Sequence, residues 1–62
     1  MIEEIINKEI ENYEEDELYY LRLFDKETGT SATYYGNMAN EQRAKVKALK
    51  ELKIKLKERG LL

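Results

Sequence analysis

A chain of 62 residues with neither cysteine nor histidine has few ways left to stabilise a fold. At this length folding buries only about 60% of the surface exposed by the unfolded chain. Small domains therefore lean on disulfides, a bound metal or a second subunit. Without cysteine there is no disulfide and no thiolate metal site. Without histidine the commonest zinc ligand and the commonest general base are missing too. Self-association is the remaining staple, so a homodimer is expected, with no cofactor and no metal.

The net charge of −2 conceals two opposed ends. Residues 1–17 hold eight acids against the single Lys8, a balance of −7. Residues 18–36 are neutral, and residues 37–62 hold eight bases against three acids, a balance of +5. Such ends can serve two partners or each other. No stretch approaches the ~20 apolar residues of a membrane span. The opening MIEEIINKEI is acidic and has no apolar run of signal-peptide length, so the expected setting is cytoplasmic.

Along the chain the apolar spacing predicts a first helix over about residues 2–15. Ile2, Ile6, Ile10 and Tyr13 fall on one stripe with Ile5 beside them, and Glu9 lies inside it. The acids Glu14 to Glu17 oppose the negative end of the helix dipole and are expected to end the helix there. Residues 18–24 (LYYLRLF) and 30–36 (TSATYYG) are rich in aromatic, β-branched and other strand-compatible residues. With Asp25-Lys-Glu-Thr-Gly29 between them they predict a β-hairpin. The preferred register places Leu23 opposite Ala32, Leu21 opposite Tyr34 and Tyr19 opposite Gly36 on one face, the aliphatic face that the helices cover. Tyr20, Arg22, Phe24 and Tyr35 lie on the other.

A last helix is predicted over about residues 38–59, with Gly60 as its left-handed stop and Leu61 folding back towards Leu56. Met38, Val46, Leu49, Leu52 and Leu56 form its apolar stripe, and Ile54 points away from it. The expected architecture is thus a single small α+β domain, α-β-β-α. A two-stranded antiparallel hairpin packs on helices and is completed as a sheet by a second copy, because two strands alone are weak.

Little here is suited to catalysis. A serine nucleophile needs a base, and nothing in the sequence places a lysine beside Ser31; the chain is expected not to be an enzyme. The acids 14–17 lack the glycine turn and spaced ligands of a calcium loop. Two surfaces remain. Tyr20, Arg22, Phe24 and Tyr35 carry the residue types enriched at protein interfaces, and Ile54 offers a second contact. Alternatively, Arg43, Lys47, Lys50 and Lys57 on the basic helix, together with the aromatic face, match what a nucleic acid needs from a binder.

The run of strand, Asp-x-x-x-Gly turn, strand ending in Gly36 and helix containing Ala44 resembles the arm-binding domains of phage integrases. Those have a third strand and many more bases, so their function is not carried over. Tyr35-Gly36-Asn37-x-Ala39-x-Glu41 resembles a stretch in small phage inhibitors of uracil-DNA glycosylase. Neither resemblance makes the chain a member of a family. The function expected from the sequence is a small binding protein of a phage or mobile element, a regulator or inhibitor that occludes a protein partner. The alternative is a nucleic-acid-binding module.

Overall fold

Both predicted strands are helical. A computed structural model describes all 62 residues, and the chain has two elements, α1 (Ile2–Lys26) and α2 (Thr30–Glu58). They form an antiparallel helical hairpin joined by a three-residue turn and measuring 47 × 15 × 10 Å. The α+β class, the β-hairpin at 18–24 and 30–36, and the sheet completed by a second copy are all overturned. With the strands goes the likeness to the arm-binding domains, which rested on a strand–turn–strand.

A spacing that runs unbroken through the supposed strands explains the outcome. Along α1, Glu3, Ile6, Ile10, Tyr13, Glu17, Tyr20 and Phe24 recur at intervals of three and four. Along α2 the same alternation joins Ala32, Tyr35, Ala39, Gln42, Val46, Leu49, Lys53 and Leu56. All of these except Phe24 are buried or half-buried. This is the seam of a two-stranded coiled coil, in which each helix turns one narrow stripe to the other. Helix satisfies the backbone internally, and 46 of the 52 backbone hydrogen bonds lie within the two helices. A lone two-stranded hairpin would leave both edges unpaired. The helix propensities of Tyr, Phe and Thr fall short of alanine's by well under 1 kcal/mol per residue, too little to break a continuous seam.

The register follows a simple rule. Glu17 meets Arg43, Asn7 meets Lys53, Glu3 meets Lys57 and the Phe24 ring lies against Gly36, so facing residues have numbers summing to 60. Ile6, Ile10 and Val46 form the buried apolar cluster, with Tyr13, Leu49 and Leu56 packed against it.

Of the turn read from Asp25 to Gly29, Asp25 and Lys26 belong to α1, and residues 27–29 join two helices. The Glu27 amide still donates to the Leu23 carbonyl at 3.1 Å. Gly29 then takes φ 66°, ψ −136°, a conformation open almost only to glycine. At the far end Gly60 has φ 72°. Its amide reaches the Lys57 carbonyl, and that of Leu61 reaches Leu56, the two bonds of a glycine-terminated helix end. No helix is long and apolar enough to cross a membrane.

Candidate functional site

Two helices side by side have two broad faces, one on either side of the seam, and here the faces differ in chemistry. One is a ladder of charge. The Arg43 Nε donates to Glu17 Oε2 at 2.7 Å, and the Glu17 side chain is only 18% exposed. Next along the face, Lys50 lies 3.7 Å from Glu14 and Lys57 lies 3.7 Å from Glu3. Lys53 donates to the Asn7 amide oxygen at 2.7 Å. Exposed pairs of this kind are worth about 0–1 kcal/mol each. The short Arg43–Glu17 bond is the strongest by geometry, since the other two ion pairs lie beyond hydrogen-bond range.

The opposite face carries tyrosines. Tyr20 and Tyr35 stack across the seam with ring centroids 6.4 Å apart. Tyr19 leans edge-on against Tyr20 at 5.5 Å, and Tyr34 against Tyr35 at 5.4 Å. The four rings thus form one row crossing both helices. Its inner pair is half-buried, while Tyr19 and Tyr34 are 59% and 57% exposed. Further along the same face, towards the chain termini, stand the exposed aliphatics Ile2, Ile5 and Leu52. Between the two groups, Lys45 lies over the Tyr13 ring, 5.2 Å from its centroid.

The residues singled out from the sequence are therefore spread around the hairpin. Tyr20 and Tyr35 meet, as helix neighbours rather than cross-strand neighbours. Phe24 belongs to the seam and leans to the charged side, where its ring touches Gly36. Arg22 is exposed on the outer back of α1. Ile54 lies on the charged side, with Ile10 and Asn7 in a shallow groove rimmed by Lys50, Lys53 and Lys57. These five do not form one surface. Of the four bases proposed for nucleic acid, Arg43, Lys50 and Lys57 hold carboxylates of α1, and Lys47 is exposed. The acidic run feeds the same ladder through Glu14 and Glu17.

Sequence reasoning missed Tyr19 and Tyr34 by assigning them to the covered face of a sheet. The signal lay in the doublets Tyr19-Tyr20 and Tyr34-Tyr35. In a helix the second ring of each doublet enters the seam, and the first stands about 100° further round, from where it leans back edge-on against its neighbour. No protein-family model, curated protein or solved structure matches the chain.

Proposed function

We propose that this protein is a helical-hairpin binding module without chemistry of its own, and that it engages a protein surface through the tyrosine face. The observation that carries the reading is the tyrosine row, with two rings left more than half exposed on a rigid helical platform. Tyrosine presents large contact area at little conformational cost and is enriched at interface hot spots. Ile2, Ile5 and Leu52 extend the same face with exposed apolar area, beyond the scattered single residues usual on a surface. Occlusion of the partner, rather than catalysis upon it, is the mode of action this surface supports.

The nucleic-acid alternative is weaker on this geometry. Phosphates would compete with α1 carboxylates for Arg43, Lys50 and Lys57, and the neighbouring acids would repel them. A photo-crosslinking amino acid placed at Tyr19 or Tyr34, and in parallel at Lys47, separates the readings inside cells. Protein adducts at 19 and 34 but not at 47 are expected. Adducts confined to 47, or formed with nucleic acid, would overturn the proposal.

A further inference from the structure

The elongated hairpin exposes more surface than a compact chain of its mass. A compact monomer of 7.4 kDa exposes about 4,200 Å² by the usual scaling, whereas the hairpin exposes 4,890 Å². Only five residues are buried: Ile6, Ile10, Ala39, Gln42 and Val46. The excess of about 700 Å² is close to the roughly 800 Å² that each partner covers in a standard interface. A broad face of 47 × 15 Å has about that footprint.

From this we infer that the tyrosine face is covered by a second copy of the chain, and that the twofold axis of the dimer runs parallel to the helices. This rests on the reading of that face as a protein-binding surface and names its occupant. The tyrosine face is the one of the two suited to burial. The centres of interfaces are rich in tyrosine and poor in lysine and glutamate, and the opposite face presents Lys50, Lys53 and Lys57 with Glu3 and Glu14 around Ile54.

Charge fixes the orientation. α1 carries nine acids and three bases, −6, while α2 carries seven bases and three acids, +4; with the three ion pairs inside the hairpin set aside, −3 and +1 remain. Two hairpins packed face to face with an in-plane axis across the helices would set α1 on α1 and α2 on α2, like on like. The axis parallel to the helices sets each α1 on the partner's α2, opposite on opposite, in both halves of the dimer. Neighbouring axes in a helical bundle lie 8–10 Å apart, comparable to the Debye length of about 8 Å at physiological ionic strength. At that range complementary charge selects register and orientation more than it adds affinity. The arrangement also keeps chemistry in layers. Ile2 and Ile5 fall near Leu52 of the partner subunit, Asp16 falls level with Lys45 of the partner subunit, and tyrosines meet tyrosines at the turn end. The product is a four-helix bundle with every neighbouring pair antiparallel and both turns at the same end.

Since the chain has no cysteine, a single Thr28→Cys carries one spin label per subunit at the turn tip. Sedimentation at about 100 µM is expected to give twice the 7.4 kDa mass, and the label-to-label distance to fall under about 25 Å for turns at one end of a bundle. A distance near the 47 Å length of the hairpin would overturn the orientation. A monomeric mass would overturn the second copy as occupant; if Tyr19 and Tyr34 still crosslink to another protein, the binding reading survives without it. Tyr34→Glu is expected to weaken dimerisation at least tenfold with helicity unchanged, and Lys47→Glu less than twofold. The reverse ranking would place the contact on the charged face and overturn the proposal.

Discussion

The two ends of the hairpin share one seam and fill it differently. Towards the termini it holds Ile6, Ile10, Val46, Leu49 and Leu56, aliphatic side chains packed around a buried cluster. Towards the turn it holds Tyr20 stacked on Tyr35 and the Phe24 ring against Gly36, with Ala39 buried. Three of the five buried residues, Ile6, Ile10 and Val46, lie in the aliphatic half, and the rings of the aromatic half keep part of their area in water. A three–four repeat sets where two helices touch, but side-chain shape sets how much area the contact removes from water. One half holds most of the buried apolar area, and the other leaves ring area in water.

This division predicts unequal consequences of truncation. Ile10→Ala removes buried methylene groups from the cluster and is expected to cost about 3 kcal/mol, a large share of what so small a core provides. Loss of the cooperative thermal transition in circular dichroism would register it. Gly29→Ala comes next, at about 2 kcal/mol, because φ 66°, ψ −136° is strained for any side chain. Tyr20→Ala is expected to cost only about 1.5 kcal/mol, since the ring is half-buried and its stacking partner can relax. Should Tyr20→Ala destabilise as much as Ile10→Ala, the aromatic half would be core after all, and the contrast between the halves would fail.

The same contrast marks what the sequence made legible. The spacing of Ile2, Ile6, Ile10 and Tyr13, and that of Val46, Leu49, Leu52 and Leu56, placed helix in the aliphatic half, although Leu52 turns out exposed beside the seam. Gly60 announced the end of α2, and Asp25 to Gly29 announced a turn. The elements that this turn joins were misread because Leu18–Phe24 and Thr30–Gly36 favour strands locally, and a turn with glycine suits both kinds of hairpin. The seam positions Glu17, Gln42 and Lys53 are polar, so a search for apolar residues loses the repeat just where it passes from one half to the other. Glu17 occupies the seam by giving its carboxylate to Arg43. Of the candidate site, the pair Tyr20–Tyr35 was legible. The exposed Tyr19 and Tyr34 follow only once both segments are known to be helices.

Gln42 stands where the two fillings meet, buried at 5% exposure near the level of Glu17. A polar residue in such a seam lowers stability and limits alternative alignments. Gln42→Leu is accordingly expected to raise the unfolding free energy by about 1 kcal/mol, seen as a higher melting temperature. An unchanged or lower temperature would mean that the amide stabilises the junction instead of only specifying it.

The smallest effect tests the aromatic half at its tightest point. A Cβ at Gly36 would lie 3.3 Å from Phe24 Cδ2 and Cε2, closer than comfortable contact, so Gly36→Ala sets two terms against each other. Alanine in place of a helical glycine contributes up to about 1 kcal/mol through backbone entropy and propensity. The Phe24 ring must retreat by a few tenths of an ångström, and with 43% of its surface exposed it has open space on the solvent side. Propensity should win, leaving a net gain of about 0.5 kcal/mol in denaturant unfolding. A loss of 1 kcal/mol or more would show that Phe24 is held as firmly as the aliphatic cluster, and that glycine at 36 is required for the close approach of the two helices beside the turn.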